Sequence, residues 1–154
     1  MRDVTILATG LGFPEGPVVC PDGSVVLTEI RHGRCTQVSP DGSTRVFSHT
    51  GGGPNGLAIG PDGAFYLCNN GGSRYVAGTS MGQGLHPDYK GGAIQRIDLH
   101  TGEHTTLYTT CNGHKLSAPS DTGRLGMLQW PEPGLKLHFG EWRAQRPRRV
   151  RLIR

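Results

Sequence analysis

Two segments forty positions apart carry one pattern. Pro14-Glu15-Gly16-Pro17-Val18-Val19-Cys20-Pro21-Asp22-Gly23-Ser24-Val25-Val26-Leu27 is echoed without a gap by Pro54-Asn55-Gly56-Leu57-Ala58-Ile59-Gly60-Pro61-Asp62-Gly63-Ala64-Phe65-Tyr66-Leu67. Each copy reads as a short apolar strand, a Pro-Asp-Gly turn and a second apolar strand. Pro presets φ for the first turn position, Asp bonds its own backbone, and Gly accepts positive φ. A period of about 40 residues built from short strands is the signature of a β-propeller blade. Within the shared frame the polar position changes, from Glu15 to Asn55, and that variable point is the first place to look for function.

Length limits how much of a propeller can form. Blades need about 40 to 45 residues and a closed ring needs at least four. The 154 residues therefore supply three at most. With 25 Gly and 11 Pro the chain favours a turn-rich β protein over a helical one. The net charge of +4 is unevenly spread: residues 1–121 hold eight Lys/Arg against ten Asp/Glu, whereas 122–154 hold eight against two. Cys20, Cys35, Cys68 and Cys111 form no Cys-x-x-Cys pair and no zinc spacing, and read as small strand hydrophobes in a reduced, cytoplasmic protein. No membrane span or signal peptide is expected.

Val4-Thr5-Ile6-Leu7-Ala8 is a β-branched run and predicts a strand whose partner lies at the far end of a ring. Blade one follows with strands near 16–20, 24–30, 34–39 and 43–48, its outer pair joined across Ser39-Pro40-Asp41-Gly42. Blade two has strands near 56–60 and 64–68, then a Gly-rich rim loop over about 69–92. It resumes with Ala93–Leu99, a turn at His100-Thr101-Gly102-Glu103 and Thr105–Tyr108. His100 and His104 read as a cross-strand surface pair. Blade three opens at Pro119-Ser120-Asp121, and there the pattern fails. The expected organisation is thus a partial propeller over 1–121 and an irregular basic tail over 122–154. Three readings of the tail stand: a nucleic-acid patch, which the single Trp142 supports thinly; a solvated, disordered segment; and, preferred, translation out of frame. No nucleic-acid or membrane partner is expected.

Phe13-Pro14-Glu15-Gly16-Pro17 with its Pro-Asp-Gly turn, followed by Gly53-Pro54-Asn55-Gly56-Leu57-Ala58, resembles the gluconolactonase / senescence-marker protein (regucalcin-like) family. Leu107-Tyr108, Cys111-Asn112-Gly113-His114 and Leu116-Ser117-Ala118-Pro119 look like that family's approach to blade three. The resemblance runs over about 4–121. It implies an all-β, six-bladed propeller, of which this chain holds two blades and a damaged third, and a hydrolase acting on sugar lactones and related esters. It also implies one axial divalent metal (Ca, Mg, Mn or Zn), held by a Glu, two Asn and an Asp. Glu15 occupies the position of that Glu, and Asn55 resembles the second-blade Asn lining the pocket beside the metal. Ser120 stands where the first metal-binding Asn belongs; the other Asn, and the Asp that serves as base, fall beyond residue 154. A carboxylate with amide oxygens is a hard, all-oxygen donor set. Two classes of function follow: metal-dependent hydrolysis of a small-molecule lactone or ester, impaired in so short a chain, or a non-catalytic fragment that binds or self-associates through open blade edges, or is simply inactive.

Overall fold

The computed structural model describes residues 4–120. Two four-stranded antiparallel sheets follow one another along the chain. The first runs β1 (Pro14–Val19), β2 (Val25–Glu29), β3 (Arg34–Val38) and β4 (Thr44–His49) in that spatial order. The second repeats the order with β5 (Pro54–Ile59), β6 (Phe65–Asn69), β7 (Ala93–Ile97) and β8 (His104–Tyr108). One 3-10 turn, Ile30–His32, joins β2 to β3, and a small hairpin of β9 (Thr110–Cys111) and β10 (His114–Lys115) follows β8. Among the described residues the chain is all-β, with no α-helix and hence none long and apolar enough to cross a membrane.

The echo in the sequence is an echo in register. Pro14 pairs with Glu29 and Pro54 with Asn69; Val18 pairs with Val26 and Ala58 with Tyr66. Both inner strands slip register at the same place, between Glu15 and Val18 and between Pro54 and Leu57. The three Pro-Asp-Gly turns are also built alike. Gly23, Gly42 and Gly63 sit at φ +81, +85 and +79, where an L side chain is disfavoured. Asp22, Asp41 and Asp62 each accept the backbone N–H two residues on, at 2.9, 2.9 and 3.2 Å. Ser24 and Ser43 donate their hydroxyls to the first two of these carboxylates, which, with the backbone N–H, lowers their pKa values.

The sheets pack face to face. Val26 and Cys35 of the first meet Leu57, Phe65, Leu67 and Ile97 of the second, with Val18, Cys20 and Phe47 against this cluster. Phe47 meets Phe65 edge to face, ring centroids 5.7 Å apart, a favoured aromatic geometry. The small residues lie mostly on the first sheet and the large ones on the second, so the faces interdigitate. All four cysteines are free thiols. Cys35 is fully buried; burial, and secondarily the Glu29 charge, push its thiol up to about 12, so it acts as packing, not as a nucleophile.

The Val4–Ala8 strand does not form. The segment has no strand structure, and among the described residues no hydrogen bond engages 4–11. A β-branched run has high strand propensity, but it needs a neighbouring edge, and among the described residues no strand pairs with it; the Leu7 carbonyl lies instead against Gly42 in the β3–β4 turn. The histidine pair is not formed either: His104 opens β8 opposite Ile97, while His100 lies in the preceding turn. The expected continuation of blade three beyond Ser120 and the tail over 122–154 fall outside the described residues.

Candidate functional site

The innermost strand of each sheet carries one candidate residue at its start. β1 and β5 run side by side, and Gly16 makes this approach possible. A Cβ there would lie 2.6 Å from both the Asn55 carbonyl oxygen and the Leu57 nitrogen. Thr28, which pairs with Glu15 across the sheet, donates its hydroxyl to the Asn55 carbonyl at 2.6 Å. One step further, the Gly56 N–H donates to the Ser120 carbonyl at 3.1 Å. Glu15, Asn55 and Ser120 thus stand on three chain segments that neighbour one another in space, β1 beside β5 and β5 bonded to residue 120.

Their side chains are uncommitted. Glu15 and Ser120 are exposed and Asn55 is half-buried. Among the described residues none of the three side chains takes part in a hydrogen bond or ion pair. For Glu15 this contrasts with the other glutamate of blade one.

Glu29, which ends β2, is fully buried and belongs to no motif of its own in the sequence. Its Oε2 accepts the Gly12 N–H at 2.6 Å and meets His32 Nδ1 at 2.7 Å; its Oε1 accepts Arg34 Nε at 2.7 Å and the Thr36 hydroxyl at 2.5 Å. Burial alone would push this carboxyl up, but Arg34, Thr36, the Gly12 amide and His32 outweigh it and hold it at about 2. Glu29 thereby fixes Gly12–Phe13, where Phe13 adopts a left-handed φ of +58 just before Pro14 and Glu15. The forty-residue echo would have found it: Asn69 is its counterpart, also buried. Asn69 Oδ1 accepts the Gly53 N–H at 2.9 Å, and its Nδ2 donates to Gln95 Oε1 at 3.0 Å. Gln95 pairs with Leu67 as Thr36 pairs with Leu27. The two blades fasten their entry loops in the same way, one with a charge and one with an amide.

No family model matches the sequence, and no curated protein matches it. Solved structures do. An X-ray structure of a protein assigned as a gluconolactonase aligns over 75% of this chain at 25% identity and a TM-score of 0.53. A gluconolactonase from Xanthomonas campestris, described as important in glucose secondary metabolism, aligns over 75% at 21% identity and a TM-score of 0.56. The likenesses support a gluconolactonase-like family. The chain spans 33% and 32% of the length of those two structures, about a third.

Among the described residues no three His, Cys, Asp or Glu side chains gather as a metal site. Glu15, Asn55 and Ser120, whose backbones lie on neighbouring segments, carry a carboxylate, an amide and a hydroxyl, each offering a hard oxygen. Their chemistry fits a divalent cation of the Ca²⁺, Mg²⁺ or Mn²⁺ type, though three donors fill only part of such a shell. A separate open cleft of about 560 Å³, between β4 and the 101–105 turn, lies at the opposite margin of the sheets and includes none of the three.

Proposed function

We propose that this gluconolactonase-like chain takes part in the metal-dependent hydrolysis of a sugar lactone or related ester in the cytoplasm. Glu15 and Ser120 would hold the divalent cation, and Asn55 would contact the substrate. When bound, such a cation supplies Lewis acidity at the lactone carbonyl. The observation that carries the reading is the contrast between two glutamates of one blade. Glu29 is fully partnered; Glu15, beside Asn55 on the innermost strands, has no partner among the described residues. Activity is impaired, because Ser120 offers a short hydroxyl where an amide oxygen would reach further. The test is hydrolysis of glucono-δ-lactone by the purified chain, with EDTA and then Mn²⁺ or Ca²⁺ added back. Weak, metal-restored activity that is lost in Glu15→Gln supports the reading; activity indifferent to both removes Glu15 and the cation from it.

One observation favours a second reading, a non-catalytic chain that self-associates through its edges. Val4 and Ile6 are 69% and 70% exposed on an unbonded, β-branched segment, and β8 is an exposed sheet edge. Sedimentation equilibrium decides it: a well-folded monomer at tens of micromolar argues against edge pairing. We also propose a boundary near residue 121, with 122–154 translated out of frame. Reading the gene's other two frames past codon 120 should restore a strand and later Asn/Asp motifs; if neither does, the idea fails.

A further inference from the structure

The insertion between β6 and β7 is a small body of its own. Ser73 and Leu85 form a bridge, the Arg74 N–H donates to the Gly84 carbonyl at 3.0 Å, and the Gln83 N–H donates to the Arg74 carbonyl at 2.7 Å. At its base the His86 N–H donates to the Gly72 carbonyl at 3.2 Å, so residues 72–86 form a closed arm. Both roots of the insertion are glycine pairs, with Gly71 and Gly72 at φ +84 and +93 and, of the pair Gly91-Gly92, Gly91 at +115. The arm buries little, since Val76, Met81 and Leu85 are 42%, 50% and 63% exposed. An internally bonded arm on glycine roots with little buried apolar surface belongs to the low-stability end of a fold, from which lids are drawn.

The arm rises at the end of the sheets that carries the candidate site. Asn69, the last residue of β6, pairs with Pro54 beside Asn55, and Gly72 packs against the Gly52 backbone. Two attachments fasten the insertion beyond its own blade. Arg31, just after β2, donates from Nη1 to the Thr79 carbonyl at 3.2 Å and places its guanidinium 5.3 Å from the centre of the Tyr75 ring. Nearer the second root, the Tyr89 hydroxyl donates to the Ser117 carbonyl on the approach to Ser120.

We propose that residues 73–86 are a lid over the Glu15–Asn55 end of the blades, latched shut by Arg31 through Tyr75 and Thr79. Arg31 is a positioning residue: it holds the arm across from blade two to blade one and touches none of the candidate site side chains. The latch is a hydrogen bond and a cation–π contact at the surface, together enough to shift opening by roughly tenfold. That the lid covers a substrate site rests on the lactonase reading; the latch does not, and its test needs no activity.

The experiment is amide hydrogen exchange of the purified chain, followed by mass spectrometry of peptides covering 73–86 and of the β-strands. Arg31→Ala and Tyr75→Leu should each speed exchange over 73–86 by roughly tenfold and leave β2, β3, β6 and β7 unchanged. Tyr75→Phe, which keeps the ring, should behave as wild type. Unchanged exchange in both disruptive variants overturns the proposal. So does acceleration spread evenly over the strands, or a Tyr75→Phe variant that opens as far as Tyr75→Leu. If the latch variants behave as expected while glucono-δ-lactone is not hydrolysed, the lactonase reading alone is lost.

Discussion

Replacing Glu29 by Gln removes one negative charge from a site that accepts four donors, and its cost can be worked out. The carboxyl stands at about 2 in the fold against an ordinary 4.5. At 1.36 kcal/mol per pH unit, a drop of that size contributes about 3 kcal/mol at neutral pH. The figure agrees with the roughly 3–5 kcal/mol expected when one partner of a buried ion pair, here with Arg34, is deleted. The sign follows from the lowered value. Above pH 4.5 the carboxylate is ionised whether folded or not, and the contribution is constant. As pH falls from 4.5 towards 2, the unfolded carboxylate binds a proton that the folded one refuses, and the contribution is lost. Urea unfolding of wild type and Glu29→Gln should therefore differ by about 3 kcal/mol at pH 7 and by about half that at pH 3. A gap below about 0.5 kcal/mol, or one that is the same at both pH values, would show that the buried carboxylate is not stabilised as its contacts indicate.

Gly16→Ala should cost about 3 kcal/mol or more, since the new Cβ meets the β5 backbone at 2.6 Å and φ is +50; Gly63→Ala, at φ +79 in open space, should cost only about 1 to 2. Comparing the two urea midpoints checks the β1–β5 approach. Phe65→Ala should destabilise by about 3–5 kcal/mol, because Phe65 is fully buried at the centre of the core, and calorimetry would read the loss. Cys111 should react with a thiol reagent in the native state while Cys35, buried and held at about 12, should not; equal labelling would contradict the core. Ser120→Asn should tighten Mn²⁺ or Ca²⁺ binding measured by calorimetry, and an unchanged affinity would take Ser120 out of the site.

What was legible in the sequence was whatever the backbone alone decides. The Pro-Asp-Gly turns set their own geometry through φ and the Asp side chain, so both blades and their strand spans could be written from the repeat. The Asn112-Gly113 turn, at φ +49 and +78, carries an equally local signal for the β9–β10 hairpin. Val4–Ala8 failed for the opposite reason: strand formation is decided by a partner, and no local propensity reveals whether one is present. Glu29 and the Arg31–Tyr75 contact were hidden because their meaning lies in partners brought near by folding. Yet the repeat supplies a way to interpret charges that neither propensity nor motif offers. Equivalent positions in two blades solve the same backbone problem, so where one blade uses an amide and the other a carboxylate, the amide shows what the structure requires. At Glu29 and Asn69 the surplus charge is balanced within the fold, because Arg34 stands beside Glu29 at the position that Ala93 takes in the second blade. At Glu15 and Asn55 no described residue balances it. Glu15 is exposed, so water can meet its charge where Glu29 needs Arg34, and the loss or survival of metal-restored hydrolysis in Glu15→Gln separates a solvated carboxylate from a ligand at the start of β1.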